Sequence, residues 1–330
     1  MSKNFDFNGK LLYLLVIGNT KTAEIPGITV AGANAELIKY TPPADAELLY
    51  YGKCLSIDAI PATPDGKPTP ALISYTALRL TRIPLLVVDS GLMIKPKIPH
   101  LTLNAPVGEN IAKERAMKFE DVERVIESGK IFGEQLSKLA DLIVIGESIP
   151  AGTTTAGAVL KALGFEPKVS SSMPENPIEL KKRIINEAVK RVQRKEPIEI
   201  ISAVGDPVIA GIVGILGGCK KALLAGGTQM VAVANLAKKL FDCEIAIATT
   251  EFVAKDKNVD LSLAPCKVFV AEIPLARSRY PGLRAYADGF VKEGVGAGGL
   301  SFLAYQHGFK EEEFLREIEK DYEKIVLRKS

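Results

Sequence analysis

The chain has 330 residues, of which 47% are hydrophobic and 25% charged, with a formal net charge of +3. This composition is typical of a globular protein with a sizeable core, and the small, dispersed charge argues against a nucleic-acid partner. The longest apolar runs, such as residues 209–216, are far too short to span a bilayer, so we expect no membrane insertion.

Cysteine and histidine are sparse. The four cysteines are scattered without metal-ligand spacing: Cys54, Cys219, Cys243 and Cys266. This pattern predicts inert thiols in a reducing, cytoplasmic setting and no metal site. The sequence has two histidines, His100 and His307. This number argues against a histidine-rich metal site and against a histidine-based catalytic triad.

The N-terminal third is irregular in pattern. Residues 11–17 and 48–54 are apolar enough to predict strands. The proline-rich stretch 60–70 predicts a surface loop or lid, because proline cannot donate to a strand ladder.

From residue 84 onward, short apolar runs alternate with helical periodicity. The runs predict strands at residues 84–89, 142–145, 198–203, 221–225, 244–248 and 268–271. The periodic stretches predict helices at residues 119–139, 156–163, 177–194, 208–216 and 228–240. Strands without polar alternation, separated by helices, indicate a doubly wound, mostly parallel α/β (Rossmann-like) fold covered on both faces.

The C-terminal residues 310–327 predict a charged amphipathic helix that docks on the core or forms a dimer contact. We therefore divide the chain into three parts. Residues 1–84 supply the first strands and an accessory, base-pocket region, and residues 85–290 form the main α/β domain. Residues 291–330 form a helical segment that completes the active site.

Three predicted strand ends are followed by segments rich in glycine and hydroxyl residues: 146–156, 204–207 and 226–229. Two similar segments lie further along the chain, at residues 277–282 and 292–299. Ligands bind at the carboxyl ends of strands in such sheets, and helix N-termini with nearby glycines favour phosphate. Each loop alone is explained by turn chemistry, but together they favour a nucleotide or phosphorylated-sugar site. Residues 146–153 lack the lysine and spacing of a P-loop, and residues 294–299 fit a dinucleotide fingerprint only loosely.

Three segments carry a more specific pattern. Gly146-Glu147 is followed by Thr153-Thr154, residues 293–297 read Glu-Gly-Val-Gly-Ala, and residues 204–211 read Val-Gly-Asp-Pro-Val-Ile-Ala-Gly. With other segments across residues 85–305, they resemble, in the same order, nicotinate-nucleotide–dimethylbenzimidazole phosphoribosyltransferases of a divergent, archaeal-type branch. That family activates the lower-ligand base of cobamides.

The resemblance implies phosphoribosyl transfer from nicotinate mononucleotide to a benzimidazole-like base, giving an α-riboside 5′-phosphate for cobamide (cobalamin) synthesis. It implies a pentosyltransferase that works as a homodimer with no metal or redox cofactor, and Glu293 as the catalytic base. The substrate-binding residues that it suggests are Gly146, Glu147, Thr153, Thr154, Lys181, Gly205, Ser278, Gly294 and Gly296. Lys182 stays open as an alternative to Lys181 for the phosphate.

The chain departs from the family pattern at Asn19, Ala225 and Leu283, partly around the expected base pocket. These changes leave a second interpretation open, a non-catalytic protein that keeps the fold and the phosphate loops and binds a nucleotide or a base. A third is an α/β enzyme that acts on another phosphorylated sugar.

Overall fold

A computed structural model describes residues 5–29, 31–32, 34–63, 66–168 and 177–327. Within these residues one parallel sheet has the strand order β3-β2-β1-β4-β5-β6-β7. The strands are β1 Leu11–Ile17, β2 Leu85–Asp89, β3 Leu101–Thr102, β4 Leu142–Ser148, β5 Lys221–Ala225, β6 Glu244–Thr250 and β7 Lys267–Ala271. The direction of strand order reverses between β1 and β4, and ligands bind at this switch point in doubly wound folds.

Helices cover both faces of the sheet. They are α1 Thr41–Tyr51, α2 Ala71–Thr81, α3 Phe119–Leu136, α4 Gly152–Ala162, α5 Ile178–Val189, α6 Pro197–Val204, α7 Pro207–Gly218, α8 Thr228–Leu240, α9 Glu251–Ala254, α10 Pro281–Arg284, α11 Ala297–Gln306 and α12 Glu311–Tyr322. Side chains of α3 to α8 pack on the face that carries Leu14, whereas α1, α2, α11 and α12 pack on the face that carries Leu15. The predicted doubly wound α/β fold is confirmed.

The side chains of β1 and β4 point alternately to the two faces of the sheet. This alternation decides which helices the residues at the strand ends contact. Val16 pairs with Glu147 and Ile17 pairs with Ser148. Paired residues of parallel strands face the same side of the sheet. Glu147 therefore faces the α4–α8 layer, and Ser148 faces the α1–α2 layer.

Two strand predictions are wrong. Residues 48–54 include the end of α1, which has Pro42 and Pro43 in its first turn and ends at Gly52 in the left-handed conformation, φ 64°. Residues 198–203 lie in α6, which begins at Pro197. Both segments are short and largely apolar, and in such segments periodicity does not distinguish a buried strand from a buried helix. Proline in the first helical turn is the better signal in both segments.

The terminal segments pack onto the main sheet. β1 is an interior strand of the sheet, between β2 and β4. Phe314 and Ile318 of α12 are fully buried in the core on the face that also holds α2. The three-part division of the chain stays a prediction. No helix among the described residues is long and apolar enough to cross a membrane.

Candidate active site

A cavity opens at the carboxyl ends of β4, β5 and β6, next to the switch point. Its wall includes residues 147–153 at the end of β4 and just beyond it, residues 227–229 after β5, and residues 291–295 before α11. α1 adds Asp45 and α5 adds Lys181. The proline-rich loop adds residues 61–63, Lys67, Thr69 and Pro70. Three predicted site residues from distant parts of the sequence, Glu147, Lys181 and Glu293, therefore lie on one cavity.

Glu293 is held by four hydrogen-bond donors. Its Oε2 accepts from the Thr249 hydroxyl at 3.0 Å and the Thr250 backbone N–H at 2.9 Å. Its Oε1 accepts from the backbone N–H groups of Gly294, at 3.3 Å, and Gly298, at 3.0 Å. Burial raises the pKa of Glu293 above its ordinary value, while these donors oppose the shift because they favour the charged form.

Glu147 has a different environment. Its carboxylate accepts from Gln229 Nε2 at 3.2 Å and from the backbone N–H of Ile149. Burial raises the pKa of Glu147 to about 8, and the nearby carboxylates of Asp206 and Glu293 push it in the same direction. Glu147 is therefore mostly protonated near neutral pH.

Lys181 is almost fully buried on α5, beside the N-terminus of α4. Its Nζ donates to the Thr153 hydroxyl at 2.8 Å. Burial lowers the pKa of Lys181 to about 7, and the positive charge of Lys292 contributes. Lys182, the alternative, is exposed and ion-paired with Glu179 at 3.2 Å, so Lys181 is the lysine that reaches the cavity.

Asp45 is a carboxylate that the sequence did not single out. It accepts from the Thr69 hydroxyl at 2.7 Å and from the Ser148 hydroxyl at 2.8 Å. Burial raises the pKa of Asp45 to about 7, against the effect of these two bonds. Asp45 thereby joins α1 and the end of β4 to the proline-rich loop.

The loop that carries Glu293 is held in an uncommon backbone conformation. Val295 has φ 54°, a left-handed value that costs a β-branched residue energy. The Val295 carbonyl accepts from the Tyr13 hydroxyl at 2.6 Å and the Ser74 hydroxyl at 2.8 Å. The Val295 N–H donates to the carbonyl of Glu147 at 2.8 Å. These three bonds fix the loop against β1, α2 and β4.

Two predicted glycines support this loop. A Cβ at Gly146 would clash with the Tyr13 hydroxyl and would lie 2.9 Å from the Gly296 nitrogen. Gly296 itself has φ 76° and precedes α11. Neither glycine is part of the cavity wall, whereas Gly294 and Thr153 are. Gly146 and Gly296 permit a close approach of backbones beneath the site.

The structure does not bring Gly205, Ser278 or Thr154 to the cavity wall. The Gly205 N–H donates to the Ile201 carbonyl at the end of α6, so it is not free for a phosphate. The Ser278 hydroxyl donates to Glu319 at 2.8 Å, which ties it to α12. The Thr154 hydroxyl is buried on α4 and has no partner among the described residues.

Thr249 and Thr250 are site residues that the sequence analysis missed. They end β6 and hold the Glu293 carboxylate. The sequence signal for them is a pair of hydroxyl residues at a strand end. The apolar run that predicts this strand ends at residue 248, so the pattern does not assign the two threonines to the strand-end segments.

Comparisons with known proteins identify the family of the chain. A family model described as phosphoribosyltransferase matches residues 74–241. A UPF0284 protein of Archaeoglobus fulgidus is 67% identical over 320 residues, covering 97% of this chain and 95% of the relative. A UPF0284 protein of Pyrococcus furiosus is 44% identical over 331 residues, covering 96% and 99%.

Solved structures show the same fold. Nicotinate-nucleotide–dimethylbenzimidazole phosphoribosyltransferase from Thermus thermophilus has a TM-score of 0.64 at 18% identity, covering 94% of this chain and 83% of that chain. The family resemblance predicted from sequence is thus confirmed. The chain belongs to the phosphoribosyltransferase family, in a group with the archaeal UPF0284 proteins.

Proposed function

We propose that this protein transfers the 5-phosphoribosyl group of nicotinate mononucleotide to an aromatic nitrogen base of the benzimidazole type, for cobamide synthesis. The proposal is supported by family membership and by the fold shared with an enzyme named for this reaction. The main structural support is that Glu147, Lys181 and Glu293 line one cavity beside the switch point.

The two glutamates suit different roles, because their environments separate their protonation states. The Glu293 carboxylate accepts four hydrogen bonds, which favour its charged form. We therefore assign it the role of proton acceptor. Of those donors only the Thr249 hydroxyl can rotate away, and this would free a lone pair for the proton. Glu147, mostly protonated near pH 7, is suited to donate a hydrogen bond to the ribose or the acceptor base.

The reaction needs no general acid. The bond between C1 of the ribose and the pyridinium nitrogen breaks, and its electron pair neutralises the departing nicotinate ring. A ring nitrogen of the acceptor forms the new bond to C1 from the opposite face, which inverts the β-nucleotide to an α-riboside phosphate. The acceptor's N–H proton passes to Glu293, a contribution of about 10²–10⁴ in rate.

Lys181 and Thr153 are assigned to the 5′-phosphate. They meet at the N-terminus of α4, an 11-residue helix whose dipole favours an anion at this end. Gly294, which also lines the cavity, has no side chain to hinder the sugar phosphate. The homodimer and the cytoplasmic location stay predictions.

The test is release of nicotinate from nicotinate mononucleotide in the presence of dimethylbenzimidazole, followed by chromatography. Glu293→Gln should lower turnover about 10²- to 10⁴-fold. Glu313→Gln, an exposed change on α12, serves as the control and should leave turnover unchanged. Ligand-dependent thermal stabilisation of the wild type without released nicotinate would instead identify a non-catalytic binder.

A further inference from the structure

Tyr13 brings a polar atom into an otherwise apolar strand. It is fully buried, and it is the only residue of β1 whose side chain carries a polar atom. Its hydroxyl occupies space that two glycines leave open, because a Cβ at Gly146 or Gly296 would clash with it. Packing alone does not require this hydroxyl, since phenylalanine offers the same ring without a polar atom to bury.

The partner of the Tyr13 hydroxyl is a carbonyl in strained backbone. Residues 294, 295 and 296 all have positive φ values, of 138°, 54° and 76°. Glycine adopts such values readily, but a β-branched residue such as Val295 does so at an energetic cost. The Val295 carbonyl accepts from the hydroxyls of Tyr13 and Ser74 at 2.6 and 2.8 Å. These bonds use both acceptor sites of the carbonyl and so fix the orientation of its peptide group.

The orientation of this peptide group bears on Glu293, two residues earlier in the chain. Gly294 and Gly298, which stand on either side of Val295 in the sequence, supply two of the four donors to the Glu293 carboxylate. The Val295 N–H donates to the Glu147 carbonyl at 2.8 Å, so the same residue also ties the loop to β4. A rotation of the backbone at Val295 would therefore shift Glu293 relative to its glycine donors and to Glu147.

Tyr13 is not part of the cavity wall, so it can affect the reaction only through this loop. We propose that Tyr13 is a positioning residue, whose hydroxyl holds Val295 in the left-handed conformation that presents Glu293 to the cavity. The proposal rests on the proposed function, in which Glu293 accepts the proton of the base. Ser74 shares the role through its bond to the same carbonyl.

The first test compares steady-state kinetics of the wild type and Tyr13→Phe. Turnover should fall about 10- to 100-fold, because a displacement of the proton acceptor by about 1 Å is costly in rate. KM for nicotinate mononucleotide should change less than about 3-fold, because Lys181 and Thr153, assigned to the 5′-phosphate, lie on α5 and α4. A residue that only stabilises the fold would lower Tm and leave turnover unchanged, and this result would overturn the proposal.

Tyr305→Phe is the matched control. The Tyr305 hydroxyl also donates to a backbone carbonyl, that of Glu272, at 2.6 Å, but it lies near the C-terminal end of α11. Its loss should leave turnover and KM unchanged, and equal losses of turnover in the two variants would contradict the proposal. If Tyr13→Phe does not fold, Ser74→Ala removes the other donor to the Val295 carbonyl and takes its place in each test, with the same expected results.

A second test asks whether the hydroxyl acts by holding the strained conformation. Glycine adopts positive φ values without the cost that valine bears, so Tyr13→Phe should lower turnover less than about 3-fold when Val295→Gly is already present. Val295→Ala keeps a Cβ and with it much of the conformational cost, so in this background Tyr13→Phe should still lower turnover about 10-fold or more. Equal effects of Tyr13→Phe in the glycine and alanine backgrounds would overturn the proposal.

Amide hydrogen exchange separates this proposal from the proposed function, because it does not depend on turnover. The amides of residues 294–298 should exchange about 3- to 10-fold faster in Tyr13→Phe than in the wild type, the size of one lost hydrogen bond. Tyr305→Phe should leave their exchange unchanged. If the wild type releases no nicotinate, the proposed function fails, while faster exchange in Tyr13→Phe still supports the positioning of the loop. Exchange in Tyr13→Phe equal to that of the wild type would overturn it.

Discussion

Thr250 and Glu293 join the loop before α11 to the end of β6. The Thr250 N–H donates to Glu293 Oε2 at 2.9 Å, and its hydroxyl donates to the carbonyl of the preceding Lys292. The assigned proton acceptor is thus positioned by a strand more than forty residues away in sequence. Changes at the end of β6 should therefore alter its titration.

Thr249→Val removes the hydroxyl that donates to Glu293 Oε2. Since this bond favours the charged form, the pKa of Glu293 should rise and the acid limb of the pH–rate profile should move to higher pH. Turnover should fall on the acid limb of the profile, where a larger fraction of Glu293 is protonated in the variant, and should change least on the plateau above it. Thr249→Ser keeps the hydroxyl and should behave like the wild type. An unmoved acid limb in Thr249→Val would contradict the assignment.

Gly298 lets α11 approach β6 closely. A Cβ there would clash with the Thr249 carbonyl carbon and the Thr250 nitrogen, both rigid backbone atoms. Gly298→Ala should therefore lower the free energy of unfolding by about 1–3 kcal/mol, the usual cost of overpacking. Denaturant titration measures the change. Ser301→Ala, which removes a buried hydroxyl without a partner among the described residues of the chain, should cost much less.

Much of the fold could be predicted because β4, β5 and β6 are apolar over most of their length and end near glycine or hydroxyl residues. The errors at α1 and α6 arose where tyrosine (in α1) and isoleucine (in α6) favour strands locally but tertiary packing selects a helix. Local pattern carries no information on such packing.

The site was only partly predictable. Glu147 and Glu293 follow recognisable glycine-rich patterns, whereas Asp45 lies within an ordinary helical segment. Its place at the cavity depends on Thr69 and Ser148, which come from other parts of the sequence. Conversely, Ser278 matched a motif but lies against α12. Long-range contacts decide these cases, and the sequence does not display them.

Stability should depend on pH through the buried ionisable groups. The folded-state pKa values of Asp45, Glu147 and Asp206 are raised to about 7, 8 and 6 from 3.8, 4.5 and 3.8. Between about pH 4 and 8 the folded state therefore binds more protons than the unfolded state. The free energy of unfolding of the protein should therefore fall as pH rises from about 4 to 8.

Lys181 acts in the opposite direction at higher pH, because its pKa is lowered to about 7 from 10.5. Between about pH 7 and 10.5 the unfolded state binds more protons at this group, so its contribution to stability rises with pH. The recovery should show between about pH 8 and 9, because Glu147 opposes it below pH 8 and the buried Cys219 and Cys243 and the half-buried Cys266, with pKa values raised from 9.0, oppose it above pH 9. Urea titrations at a series of pH values measure both trends. Asp45→Asn should flatten the fall below pH 7, whereas Glu313→Gln should not. A slope of the opposite sign between pH 4 and 7 would contradict the burial of these carboxyls.

Glu147→Gln should separate the roles of the two glutamates. If Glu147 acts in its protonated form, the neutral glutamine amide can still donate a hydrogen bond, and turnover at pH 7 should fall less than about 10-fold. Above pH 8 the wild type should lose turnover as Glu147 ionises, while the variant should not. Glu147→Leu, which cannot donate, should lose turnover at every pH. A loss in Glu147→Gln as large as in Glu293→Gln would mean that Glu147 works as a carboxylate, and the proton acceptor would have to be reassigned.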